Sequence, residues 1–124
     1  HCKNSERKKI KMERCEKIIM SATKQSLKSF LPRLNPLIQF DKFINKSHIE
    51  TAKSIGYLGN QESTFLSDYH REKKSHLICI GPEGDFSPAE VKIAIENGFQ
   101  IISLGNSRLR TETAGVVAST LINA

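Results

Sequence analysis

Two clusters in this 124-residue chain have the residue types and spacing to hold a small molecule. The first is Ile80-Gly81-Pro82-Glu83-Gly84-Asp85-Phe86. Its glycines permit unusual dihedrals and let backbone approach a ligand. The second is Leu104-Gly105-Asn106-Ser107-Arg108-Leu109-Arg110-Thr111-Glu112-Thr113-Ala114. It sets two Arg, one Glu and two Thr between a glycine and an apolar segment. A guanidinium there suits a phosphate or an electron-rich base, and Glu83 and Glu112 are the carboxylates that could take a proton. Neither loop has the G-x-G-x-x-G or G-x-x-x-x-G-K-[ST] spacing, so hydride transfer and nucleotide hydrolysis lose support. Plain structural readings compete with both clusters: a strand-to-helix turn for the first, and for the second helix capping by Thr111 or Thr113 plus an Arg110–Glu112 surface pair worth under about 1 kcal/mol. His1, His48, His70 and His76 show no metal or triad spacing, and neither do Cys2, Cys15 and Cys79, so no metal is expected. His70 and His76 fall in a polar stretch and read as solvated, and Cys79 reads as a small core residue.

The elements around these loops follow from pattern. Each loop trails a short apolar run, Leu77 to Ile80 and Ile101 to Leu104, the second within a buried strand from Phe99 to Leu104, and each precedes a helical pattern. Ser87-Pro88-Ala89-Glu90 is a capping box with Pro at the first helical position, and Asn97-Gly98 is a helix stop. The last helix spans 113–123. Its Gly, Ala and Ser content predicts close approach to another backbone. Upstream, Ser5 is the candidate cap of a long helix to about Phe30, with Ile10, Cys15, Ile18, Ile19, Ala22 and Leu27 as its apolar stripe. Leu37 to Phe40 is a short strand candidate, Asp41 to Asn45 one helical turn, and Ser54 to Leu58 another strand closed by Gly59-Asn60. Residues 60–75 read as the longest loop. This order predicts an α/β fold with a mostly parallel sheet, whose ligand loops stand at the carboxyl ends of neighbouring strands.

Length and hydrophobic content fit one soluble domain, and no apolar run approaches the roughly 20 residues of a membrane span. An odd cysteine count without pattern suits a reducing, cytoplasmic compartment. The chain opens on His1-Cys2, which reads as a piece of a longer protein. Residues 1–40 carry ten Lys/Arg and three Glu, a net of +7, whereas residues 41–124 carry nine Lys/Arg and ten Asp/Glu, a net of −1. Lys8, Lys9, Lys11, Arg14, Lys17, Lys24 and Lys28 form a basic face. Such asymmetry points to an anionic partner, with nucleic acid foremost. A solvated helix face accounts for it equally well.

Taken together, the two loops resemble the RsmE family of the SPOUT superfamily, which methylates ring N3 of a uridine in small-subunit (16S) ribosomal RNA. That family carries a G-P-E-G-G-F-S-like loop and later S-L-G-x-x-x-L-R-T-E-T-A. The matches here are Gly81-Pro82-Glu83-Gly84, Phe86-Ser87 and Glu90, then Ser103-Leu104-Gly105, Leu109 and Arg110-Thr111-Glu112-Thr113-Ala114. Ala22, Gln25-Ser26 and Pro32 match an A-x-x-Q-S segment ahead of a Pro. The resemblance runs from about Ser5 to Ala124. It departs at Asp85, which replaces a second Gly but tolerates positive φ. It departs again at Ser107-Arg108, where a basic contact is shifted by one position, and at Lys28, a frequent Arg position.

The resemblance implies a mostly parallel sheet with a deep C-terminal trefoil knot, and a homodimer with its site near the interface. It implies S-adenosylmethionine held by three loops: Leu58 and Gly59; Ile80, Gly81, Pro82, Glu83 and Gly84; and Leu104, Gly105, Asn106, Leu109, Thr111, Thr113 and Ala114. RNA contacts fall to Lys8, Lys9, Lys11, Lys28, Arg108 and Arg110. Catalysis falls to Arg110, with Glu83 as the second candidate. Residues 1–124 are then the methyltransferase domain, without the family's N-terminal PUA-like RNA-binding barrel or the first elements of the domain itself. Two other readings stay open: a SPOUT enzyme acting on transfer RNA, and a non-catalytic RNA-binding or ribosome assembly factor of the same fold.

Overall fold

The computed structural model describes residues 1–7, 9–27, 29–46, 48, 52–59, 63–69, 75–105 and 107–123. The strands are β1 (Ala52–Gly56), β2 (Thr64–Phe65), β3 (His76–Cys79) and β4 (Gln100–Ser103), and they form one sheet in the order β2-β4-β1-β3. All pairings are parallel: Ser54 stands opposite Ile78 on one side and Gln100 on the other, and Thr64 pairs with Ile102. The helices are α1 (Met12–Gln25), α2 (Phe40–Ile44), α3 (Leu66–Tyr69), α4 (Pro88–Glu96) and α5 (Thr111–Ile122).

Strand alternation sends successive side chains to opposite faces. Ile101 joins Phe40, Ile44, Ile55, Phe86, Val91, Ala94 and Phe99 in the larger core, on the α2/α4 face. Its neighbour Ile102 packs with Leu66 and Ala118 on the α3/α5 face. The parallel α/β sheet predicted from sequence is therefore present, covered on both faces as such sheets require. Cys79 packs at the edge of the larger core, and burial, with Cys2 adding, pushes its thiol up to about 12. It stays protonated at neutral pH, as expected for a structural cysteine.

Helix α4 shows why its ends were legible. Ser87 Oγ accepts from Glu90 N at 3.2 Å, and Glu90 Oε1 accepts from Ser87 N at 2.8 Å, which completes the capping box. At the other end Gly98 has φ +85°, Gly98 N donates to Ile95 O at 3.0 Å and Phe99 N to Ala94 O at 3.0 Å. This is a Schellman stop, and it delivers the buried Phe99 straight toward β4.

Other boundaries move. Helix α1 starts at Met12 instead of Ser5, because Ser5 Oγ accepts from Cys2 N at 2.9 Å and closes a turn there. The helix ends at Gln25, short of Phe30, and Leu27 at φ +56° leaves the helical region. Leu37 to Phe40 is not a strand. Ile38 O accepts from the amino terminus, Phe40 N donates to His1 O at 3.0 Å, and Phe40 already opens α2. Within the supposed loop 60–75 lie β2 and α3, whose Leu66 is buried. His76 opens β3 instead of lying in solvent, and His70 is outside the described residues. Helix α5 begins at Thr111, with Arg110 at the cap and no side-chain cap bond, so neither Thr111 nor Thr113 caps it. Ala114 and Ala118 are its buried positions, whereas a Cβ at Gly115 would meet nothing within 4 Å, so Gly115 is not a point of close approach.

Ser87→Ala should lower stability by about 1 kcal/mol through loss of the cap. Urea denaturation measures it, and an unchanged midpoint would mean the box adds nothing to the fold.

Candidate active site

Parallel pairing on both sides of β1 brings the carboxyl ends of β3, β1 and β4 side by side. Residues 57–58, 80–83, 85, 104–105 and 107–110, on the segments that follow them, line a cleft of about 500 Å³. Its inner wall is apolar, with Leu58, Ile80, Ile102, Leu104 and Leu109. Arg108, Arg110, Glu83 and Glu112 stand at its rim with exposed side chains.

The first loop turns tightly: Asp85 N donates to Pro82 O at 2.9 Å, across Glu83 and Gly84. Asp85 itself sits at φ +61°, the left-handed conformation that its side chain was expected to tolerate. In the second loop Gly105 has φ +143°, outside what most L residues adopt. Ser103 Oγ donates to Gly105 O at 2.9 Å. The two loops are then tied to each other. Thr111 Oγ1 donates to Gly81 O at 2.9 Å, and Arg108 Nη2 reaches Glu83 O at 3.4 Å. Thr111 thus serves as a cross-link between loops 30 residues apart. Among the described residues Arg110 and Glu112 form no ion pair, whereas Glu13 and Lys17 pair along α1 at 3.6 Å.

The structure sorts the candidate residues. Leu58 from the β1 end, Ile80, Gly81, Pro82 and Glu83 from the β3 loop, and Leu104, Gly105, Arg108, Leu109, Arg110, Thr111 and Ala114 from beyond β4 all line the cleft. Gly59 and Gly84 do not line it; they face a neighbouring depression. Thr113 is exposed and outside the cleft. Lys9 and Lys11 are exposed on the stretch that leads into α1 and do not line the cleft. Asn106, Lys8 and Lys28 lie outside the described residues. The candidate site residues left out Gly56, Tyr57, Asp85, Ile102, Ser103 and Ser107. Gly56, Ile102 and Ser103 lie at strand ends and Tyr57 just beyond one, and an expected strand followed by a ligand loop was the signal that could have found them. No group of three or more His, Cys, Asp or Glu converges in a metal-binding arrangement among the described residues.

Gly84 has a different constraint from the one its loop suggests. A Cβ there would lie 2.9 Å from Asn4 Cβ, and Asn4 Nδ2 donates to Gly84 O and Asp85 O at 3.2 and 3.1 Å. The glycine admits the N-terminal segment to the outside of the loop. Gly84→Val should therefore cost stability, of order 1–3 kcal/mol for overpacking, before it costs ligand affinity. Chemical denaturation beside calorimetric titration separates the two, and lost affinity at unchanged stability would reverse the assignment. Thr111→Val, which removes the loop cross-link, should cost about 1 kcal/mol by the same denaturation.

Residues 1–123 match the RNA methyltransferase domain family. The ribosomal RNA small subunit methyltransferase E of Synechocystis is 32% identical over 117 residues, covering 92% of this chain and 39% of that protein. A crystal structure of a probable rRNA-methyltransferase from Porphyromonas gingivalis is 43% identical, with a TM-score of 0.90 over 99% of this chain and 52% of the other. The Neisseria gonorrhoeae ribosomal RNA small subunit methyltransferase E, solved bound to S-adenosyl methionine, is 28% identical with a TM-score of 0.76 over 94% and 50% of the two chains. The chain spans less than half the length of the curated relatives it matches. With its parallel sheet and loop cleft at the strand ends, it belongs to the RNA methyltransferase domain family.

Proposed function

We propose that this chain is the methyltransferase domain of an enzyme that methylates ring N3 of a uridine in 16S ribosomal RNA with S-adenosylmethionine. The observation that carries the reading is the cleft at the carboxyl ends of β1, β3 and β4, closed by two cross-linked glycine loops, in a member of this family. The cofactor fits what the residues offer. The volume lies within the roughly 300–1,000 Å³ of small-molecule sites. Leu58, Ile80, Leu104 and Leu109 supply an apolar slot for a purine. At Gly105 a Cβ would enter open space, so bare backbone is presented there. Glu83, Asp85 and Glu112 offset a cationic ligand.

When bound, S-adenosylmethionine supplies a methyl group on positively charged sulfur. The chain's own residues prepare the nucleotide. The exposed Arg110 at the rim holds the uracil through its carbonyl oxygens and stabilises the anion that forms as N3 gives up its proton. Glu83, on the first glycine loop, accepts that proton in this reading. Arg108, held to the Glu83 carbonyl, leaves its remaining donors for an RNA phosphate.

Several finer features belong to the same reading. A trefoil knot is supported by the match to the RNA methyltransferase domain family, and the strand order, with β4 between β1 and β2, is compatible with it. A homodimer is supported by α1, none of whose residues is buried although Ile18 and Met20 are apolar. An N-terminal RNA-binding domain in the longer protein would extend the basic surface of residues 1–40. Cytoplasmic location follows from a ribosomal substrate; no helix among the described residues is long and apolar enough to cross a membrane.

The deciding experiment is methyl transfer by the full-length protein to unmethylated small subunits, with the product base identified by mass spectrometry. Methylation confined to transfer RNA, or cofactor binding without turnover, would favour the other readings. Arg110→Ala should lower the rate by on the order of 10² with the fold intact, and Arg110→Lys should recover part of it. Near-normal turnover in folded Arg110→Ala would move the chemistry to Glu83 or Arg108. Neutralising Lys8, Lys9 and Lys11 together should weaken RNA binding and flatten its salt dependence, since fewer counterions are released. An unaltered salt slope would mark that stretch as merely solvated.

A further inference from the structure

Asp85 has every polar group engaged, and the partners lie on three segments of the chain. Its N–H donates to Pro82 O at 2.9 Å within the first glycine loop. Its carbonyl accepts from Asn4 Nδ2 at 3.1 Å on the N-terminal segment. Carboxylate Oδ1 accepts from Phe86 N at 2.8 Å, just before α4. Oδ2 accepts from Leu58 N at 3.3 Å, on the segment that leaves β1. The residue does this from φ +61°, where an L side chain is strained. A glycine would relieve that strain but bring no carboxylate.

Leu58 is the contact that matters for the site. It lies beyond the last ladder pairing of β1, at Gly56, and its side chain is 55% exposed. Neither sheet nor core holds it. Yet Tyr57, Leu58 and Asp85 all line both the main cleft and the neighbouring depression, so this short segment is the partition between them. We propose that Asp85 is a positioning residue, whose carboxylate ties the Tyr57–Leu58 partition to the glycine loop and holds that wall of the cleft in its binding shape. The proposal rests on the reading of the cleft as the S-adenosylmethionine site. Arrangement before binding spares the ligand the cost of ordering the wall, so the tether acts on affinity more than on folding.

The test compares Asp85→Gly with Asp85→Asn in the full-length protein. Glycine keeps the backbone conformation and removes both side-chain bonds. Asparagine keeps one acceptor and the tolerance of positive φ. In the ligand-free protein, hydrogen exchange at the Leu58 amide should speed up in Asp85→Gly while the amide of Ile55 in β1 is unchanged. Calorimetric affinity for S-adenosylmethionine should fall about tenfold in Asp85→Gly, the order expected for a bond to a charged acceptor, and Asp85→Asn should recover part of it. A Leu58 amide that exchanges as in the parent, or equal affinity in Asp85→Gly and parent, would overturn the tether. If the parent protein binds no S-adenosylmethionine, the functional reading fails, and Leu58 exchange still decides whether Asp85 holds the partition.

Discussion

Parallel pairing of β1 with β3 on one side and β4 on the other is the constraint from which the site follows. Parallel strands end on the same side of a sheet, so their outgoing loops must converge. Three such loops meet here. A sheet with β1 at its edge would separate the first glycine loop from the second and leave no cleft. The register also places Ile101 and Ile102 on opposite faces, and each then seeds one of the two cores. The same hydrogen bonds thus set both the packing and the position of the ligand loops.

Convergence alone does not make a shaped cavity. The loops leave their strands at Cys79 and Ser103 and could settle in many ways. Three side-chain bonds reduce that freedom. Thr111 holds Gly81, Arg108 reaches Glu83, and Asp85 holds Leu58. Each is modest by itself, about 1 kcal/mol for a neutral pair and somewhat more for a charged one. Together they connect all three loops, and the left-handed conformations at Asp85 and Gly105 are accommodated within that frame. The N-terminal segment adds a brace from outside, with Asn4 on the loop and Lys3 N on Glu90 Oε2 at 3.1 Å.

Polarity is distributed unevenly across the cleft. Its wall is apolar with bare glycine backbone at Gly105, whereas Arg108 and Arg110 stand exposed beside Glu83 and Glu112, so both signs of charge face solvent at its rim. The apolar residues of α1 stand apart from both cores, so that helix is held by little within this chain.

The sequence by itself determined the elements whose signals are local. Ser87 and Glu90 wrote the start of α4 and Asn97-Gly98 its end, because caps are satisfied within a few residues. The second loop with its Arg110-Thr111-Glu112-Thr113-Ala114 run identified the family, and the alternation of strands and helices gave a parallel sheet. What the tertiary structure decided was non-local. It set the strand order, turned Thr111 from a cap into a link to Gly81, placed Gly84 against Asn4 instead of the cleft, and drew Tyr57 and Asp85 into its wall. It also shortened α1 and found β2 and α3 in a stretch that reads as loop. None of these is written in composition or periodicity, because each depends on a partner that only folding brings within hydrogen-bond or van der Waals distance.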